Sequence, residues 1–413
     1  MQDSNPVNSK SEENQPVMPQ SESRSEMAIV NQIDELVSSF RERARSYDDA
    51  SAFPRENFDD LRRLDLVALT ADQASGGRGL WSEGAFLPYY EILEALAYAD
   101  SSTAQLIQVH SHALGYVSRH ADATQRERYL VPIVQGKLLL ASVGSETAPS
   151  TTASGVYNSE LTPEGDGFRL TCTKHFASLA PDADWLLIWT AVPGDEPYPD
   201  RTVTVLVPRD APEVTLVDEW DVMGMRPTVS WGVRIEGFRV EPEAVIGTPG
   251  AWVNRDPRTF TLAFAANHVG VARAALDFAS EWAHARPYLG ESDLVQAAIG
   301  EMASQVFAAR SAVFAAGSAW DTGDWRQAET QSLMAVHLAK NAGLGVTRRA
   351  FEICGARAAF RLYPLETWYR DIRTLTLHVR DDMQMRELGR GILAGDGASK
   401  AALDTSVIQV RNA

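Results

Sequence analysis

The sequence predicts an α+β protein built in three consecutive parts: helices, then an antiparallel β domain, then a helical bundle. Two observations carry this. Apolar residues recur every three or four positions at both ends of the chain but every second position in the middle. Turn clusters, "PEGDG" and "PGDEPYPD", also punctuate that middle part. Helices segregated from a β domain, with no βαβ alternation, make an α+β order. At 413 residues the chain is too long for one small core.

Residues 1–26 are rich in Ser, Glu, Gln, Asn and Pro and hold no apolar run. They read as a disordered tail and not as a signal peptide. The N-terminal helical domain, 27–137, follows. Ile33, Leu36, Val37 and Phe40 form one helical stripe, and Leu87, Ile92, Leu93 and Leu96 another, with "ASGGRG" breaking the chain between them. Residues 138–250 form the β domain, a sheet or barrel of six to eight strands. Phe168, Leu170 and Cys172 alternate with Arg169, Thr171 and Thr173, and Gly237 marks a bulge in "WGVRIEGFRV". Residues 251–400 return to the helical period. Val295, Ile299, Met302, Val306, Ala309 and Val313 make a bundle stripe, and "HVGVARAALDFASEWA" is apolar almost all round, as a helix buried among others would be. Residues 401–413 form a C-terminal tail.

A formal net charge of −17 argues against nucleic acid and anionic membrane as partners. Two cysteines, Cys172 and Cys354, provide no disulfide framework and fit a reducing cytoplasm. No apolar run approaches the ~20 residues of a membrane span.

Motifs narrow the chemistry mostly by exclusion. "VHSHALGYVSRH" gathers His110, His112 and His120, but nothing there has the spacing of a metal site. "SGGRGL" has no following Lys-Ser/Thr to cradle a phosphate, no GxGxxG follows a strand, and no GxSxG appears. Two loops of small and hydroxyl residues, "ASVGSETAPS" and "TKHFASLAPDADW", either grip a polar heterocycle or are plain turns. "WYRDIRTLTLHVRDD" holds His378, the only residue of that stretch that exchanges a proton near neutral pH unaided.

Taken in order, several segments resemble the acyl-CoA dehydrogenase superfamily. "SGGRGLWSEGAF" and "EILEALAYADSSTA" look like its Gly-Gly turn and following helix. "ASVGSETAPS" resembles its Thr-Glu-Pro flavin loop, and "TKHFASLAPDADWLLIWTAV" its Gly-x-Lys-x-Phe hairpin. "VMGMRPTVSWGVRIEGFRVEPEAVIG" resembles the Met-Gly-x-Arg segment, and "ANHVGVARAALDFASEWAHAR" the helix opening the C-terminal bundle. The resemblance runs from about Met27 to Ala394. It implies an N-terminal helical domain, a central antiparallel β-barrel and a C-terminal four-helix bundle, a flavin between barrel and bundle, and a homotetramer.

Departures from that pattern point to one branch. The superfamily's catalytic Glu falls on Val379 or, in some relatives, near Phe260, and neither side chain can take a proton. Asp381 or Asp382 are the neighbouring acids. "EICGARAAFRLYPLETWYRDIRTLTLH" and "EWDVMGMRPT" are similar to the flavin-dependent monooxygenase branch, which includes dibenzothiophene monooxygenase and amino-sugar N-oxygenases (nitrososynthases). That resemblance implies a two-component monooxygenase. Reduced flavin from a separate reductase reacts with O2 to a flavin hydroperoxide, which oxygenates a sulfur or nitrogen nucleophile. It implies His378 and His110 as catalytic residues, His378 being otherwise a helix-end partner of Asp381 or Asp382. Ser142, Ser145, Thr147, Phe176, Ser178 and Trp220 would face the flavin ring, and Arg370 and Arg373 either bind its phosphate or pair with nearby acids. The altered segment "HARPYLGESDLVQ" favours reduced FMN over FAD. The alternatives are an acyl-CoA dehydrogenase with a non-standard base and a non-catalytic binding protein of the same fold.

Overall fold

The computed structural model describes residues 20–81, 84–146, 158–251, 260–378 and 381–395. Four longer helices lead, α1 (Gln20–Ala50), α2 (Arg55–Arg63), α3 (Phe86–Ala99) and α4 (Ser101–His120), followed by short helical segments between Ala123 and Gly136. Helix α1 begins inside the stretch that the composition assigned to a tail. Between α3 and α4 stands only Asp100, whose carboxylate accepts from the backbone N–H groups of Ser102 and Thr103 and so caps α4. Every residue of α4 from Ser101 to Ser118 is buried, so this helix is covered on all sides.

Eight described strands follow: β1 (Leu140–Val143), β2 (Thr162–Glu164), β3 (Gly167–Ala177), β4 (Trp185–Ala191), β5 (Thr202–Pro208), β6 (Val214–Val217), β7 (Trp231–Val240) and β8 (Val245–Ile246). They form two four-stranded sheets, ordered β1-β4-β5-β8 and β2-β3-β7-β6. All pairings are antiparallel except β1 with β4. The bulge expected at Gly237 is present. Leu170 pairs Phe238 and Cys172 pairs Ile235, so Thr171 faces two residues, and Gly237 takes a φ of +71° there. Leu170, Val233 and Ile235 of one sheet share a core with Leu186, Ile188 and Val205 of the other and with α3 and α4.

Helices α5 (Phe260–His284), α6 (Asp293–Asp321), α7 (Trp325–Cys354) and α8 (Leu365–Leu375) make the C-terminal bundle, and α9 (Asp381–Leu393) follows. On α6, Met302, Val306, Ala309 and Val313 are buried, with Val295 and Ile299 packed at the edge of the core. Helix α5 is buried without a break from Leu262 to Ala272. It packs against α3, α6 and α7, which is what its all-round apolar sequence requires.

Candidate functional site

The β domain and the C-terminal bundle meet at a small apolar cluster. Met225, Phe264 and Leu375 form it, with Trp220 and Phe260 packed alongside. The loop between β6 and β7 reaches this cluster because it docks on α8. Met225 N–H donates to Asp371 Oδ1 at 2.6 Å, and Trp220 Nε1 donates to the Met225 carbonyl at 3.1 Å. Only glycine fits at 224, since a Cβ there would stand 2.2 Å from the Arg370 carbonyl oxygen. Burial raises Asp371 to about 7.

Aromatic rings continue the wall. Trp189 stacks on His112 at 5.9 Å, His112 meets Phe260 at 4.6 Å, Phe260 meets Phe264 at 5.0 Å, and Phe264 meets His378 at 5.0 Å. The wall thus crosses from β4 through α4 and α5 to the residue just past α8. His378 lies at its end and is reachable by solvent, while the protein around it lowers its imidazole below the ordinary value. A neutral imidazole there can donate one hydrogen bond and accept another.

The flavin loops expected from sequence lie beside this wall. Ser142 Oγ accepts from Trp189 Nε1 at 2.9 Å, and the Ser145 carbonyl accepts from His175 N–H at 2.8 Å. Thr147 lies outside the described residues. Between them Glu146 meets Lys174 at 2.5 Å, and this fully buried ammonium also donates to the Trp189 carbonyl and to Ser159 Oγ. Although burial opposes it, Lys174 holds Glu146 below the usual carboxylate range. The pair therefore clamps the first loop to β3, through Lys174, and to β4, through the Trp189 carbonyl. Phe176 is 64% exposed and meets Trp220 edge-on at 6.3 Å. Ser178 shares a buried hydroxyl chain with Ser230 and Thr228, at 2.7 and 2.8 Å, which ties the end of β3 to the loop of Met225. Phe176, Met225 and Val229 all carry positive φ, so backbone strain concentrates around this corner.

Arg370 and Arg373 separate in role. Arg370 pairs with Asp48 at 2.6 Å and with Glu366 at 2.7 Å, and also donates to the Met223 carbonyl. It locks α1, α8 and the β6–β7 loop together, and despite burial it holds Glu366 at about 2 with help from Arg45. Of the two expectations for Arg370, a flavin phosphate or an acidic partner, the carboxylates of Asp48 and Glu366 engage its guanidinium. Arg373 is exposed and has no carboxylate partner among the described residues.

His110, expected as a catalytic residue, is engaged at both ring nitrogens. Its Nε2 donates to the Val67 carbonyl at 2.7 Å, and its Nδ1 accepts from Leu140 N–H at 3.0 Å. Burial lowers it to about 4, so it stays neutral and braces the start of β1 against the N-terminal core. His112, two residues on, is the α4 histidine that faces the wall.

Sequence reasoning also passed over His268 on α5. It is buried, neither ring nitrogen has a hydrogen-bond partner among the described residues, and burial with the nearby His378 lowers it to about 3. Its signal was available: Phe260, Phe264 and His268 stand four apart on one helix face. Ser101, Gln105, Gln108 and His112, spaced 4, 3 and 4, likewise make a polar stripe on an otherwise apolar helix.

Comparisons with known proteins bear on the fold and the family. Residues 23–137 match "Acyl-CoA dehydrogenase, N-terminal domain" and residues 261–392 match "Acyl-CoA dehydrogenase, C-terminal domain". A dibenzothiophene monooxygenase from Rhodococcus qingshengii is 28% identical over 389 residues, covering 87% of this chain and 92% of the relative. A dibenzothiophene monooxygenase from Paenibacillus sp. A11-2, solved with FMN and indole, is 27% identical with a TM-score of 0.80, covering 89% of this chain and 97% of that one. Butyryl-CoA dehydrogenase from Megasphaera elsdenii, 20% identical, shares the fold with a TM-score of 0.81, covering 89% of this chain and 98% of that one.

Proposed function

This chain belongs to the acyl-CoA dehydrogenase superfamily, and from that premise we propose that it is a flavin-dependent monooxygenase acting on a sulfur or nitrogen nucleophile. The observation that carries this reading is the position of His378 at the end of the aromatic wall, one residue before Val379, on which the resemblance puts a desaturase's carboxylate. Phe260, at one of the two expected base positions, is part of that wall and cannot take a proton. Val379, at the other, lies outside the described residues.

The residues at the junction fit FMN. Phe176 and Trp220 offer aromatic surface for a flavin ring, the clamped loop of Ser142 and Ser145 offers polar atoms for its edge, and Arg373, without a carboxylate partner among the described residues, offers a cation for its phosphate. Reduced FMN, when bound, supplies two electrons and two hydrogens to O2. Across the whole reaction one oxygen atom bonds to the nucleophile, the O–O bond breaks, and the other oxygen leaves as water. His378 holds a proton where the departing oxygen needs one. The aromatic wall keeps bulk water away from the nucleophile. Two further elements come with the reading: a separate reductase that delivers reduced flavin, and a homotetrameric assembly.

Rapid mixing separates this from acyl-CoA oxidation, the second reading. Protein loaded with reduced FMN and mixed with oxygenated buffer should pass through a transient absorbing species before the oxidised flavin spectrum appears. Bleaching of the oxidised, anaerobic protein by acyl-CoA thioesters would overturn the proposal.

A further inference from the structure

The polar stripe of α4 identifies the class of substrate, given the monooxygenase reading for its site. We infer that this site selects planar aromatic molecules that carry a hydrogen-bond donor, and that Gln105 and Gln108 recognise the donor through their amide oxygens.

Contacts at both ends fix where the stripe points. At one end Ser101 Oγ donates to Asn267 Oδ1 at 2.8 Å, and Asn267 Nδ2 returns a bond to the Ser101 carbonyl at 3.0 Å. At the other, Gln108 Nε2 donates to the Phe260 carbonyl at 3.3 Å and His112 meets the Phe260 ring. Phe260, Phe264 and Asn267 are therefore the facing stripe on α5, running in the opposite sense. Gln105 stands between Ser101 and Gln108, and so opposite Phe264, whose ring meets that of His378.

Both glutamines are buried, Gln105 at 2% and Gln108 at 1% exposure. Neither Oε1 accepts a hydrogen bond among the described residues. Gln108 cannot turn its amide over without losing the bond to Phe260, so it presents an acceptor. Two buried carbonyl oxygens are stabilised only if a donor reaches them. The rings of Phe260, Phe264, His112 and Trp189 beside them suit a flat aromatic body. A sulfur heterocycle without N–H or O–H fits the same walls but leaves both oxygens unpaired, and a site built to hydrogen-bond rejects such an analogue strongly.

Indole and benzothiophene share a bicyclic shape and differ in this one property. Isothermal titration of the protein loaded with oxidised FMN should give indole at least tenfold tighter binding than benzothiophene. Gln105→Leu and Gln108→Leu should each erase most of that preference, with benzothiophene binding improved and FMN retention unchanged. Equal affinity in the wild type, or leucine variants that weaken both compounds alike, would overturn the inference. If one variant fails to fold, the wild-type ratio and the other variant still decide. The test does not depend on turnover. Selective binding without any oxygenated product from reduced FMN and O2 would refute the monooxygenase reading and leave the recognition standing.

Discussion

His110 and His268 occupy equally dry surroundings, each about 1% exposed, and burial lowers the imidazole of both, to about 4 and about 3. Their hydrogen bonds differ completely. His110, on the core side of α4, spends both ring nitrogens on the backbone of Val67 and Leu140. His268, on the side of α5 near His378, spends neither within the described residues. A shifted pKa in a buried histidine therefore marks burial alone. What separates a brace from a group kept for chemistry is where its donors and acceptors go. The same division runs through the site: Lys174, Glu146, Arg370 and Ser178 are spent on structure, while Gln105, Gln108 and Arg373 retain polar atoms that the described residues leave unpaired.

Substitutions on the spent side should cost stability. Lys174→Met leaves Glu146 without its cation, and should destabilise by about 3–5 kcal/mol in denaturant unfolding and lower FMN retention. An unchanged unfolding midpoint would mean the clamp holds nothing. On the other side, His378→Ala should cut oxygenation at least about a hundredfold with FMN affinity within a few-fold of wild type. A fully active variant would remove His378 from the reaction.

The histidine pair gives the sharpest contrast. His110→Leu strands a buried N–H and a buried carbonyl and should cost about 2–4 kcal/mol. His268→Leu breaks no hydrogen bond seen here and should stay within about 1 kcal/mol of wild type, while lowering the product formed per reduced flavin consumed. Similar melting temperatures for both variants would dissolve the distinction. The smallest effect concerns pH. Asp371 has its folded-state pKa raised from 3.8 to about 7, so the folded protein binds its proton more tightly than the unfolded chain. Its contribution is complete below about pH 4 and is lost as pH rises through 7. Asp371→Asn, which keeps an acceptor for Met225 N–H, should flatten the fall in melting temperature between pH 4 and 7 by a few degrees.

Periodicity made the fold legible. The two-residue alternation of "GFRLTCTKHF" is β3, the stripe from Val295 to Val313 is the buried edge of α6, and Gly237 is the bulge. The site was legible in part. His378 and Trp220 lie at the junction, since both stand in segments whose order along the chain is itself the signal. The choice of His110 among neighbouring histidines rested on likeness alone; helix phase sends His110 to the core and His112 to the wall, roughly 200° further round. For Arg370 the sequence left a phosphate and an acidic partner open, because Asp48, some 320 positions away, is a partner that no local reading supplies. Of the tails read at 1–26 and 401–413, residues 1–19 and all of 401–413 lie outside the described structure.

The most direct test of the central claim is a single turnover of protein loaded with reduced FMN, under ¹⁸O2, with a thioether or amine substrate, analysed by mass spectrometry. Wild-type protein should return product carrying one ¹⁸O atom, with its other oxygen in water, and His378→Ala should oxidise its flavin while leaving the substrate unlabelled. Label-free product from the wild type, or equal labelling by the two proteins, would contradict the account.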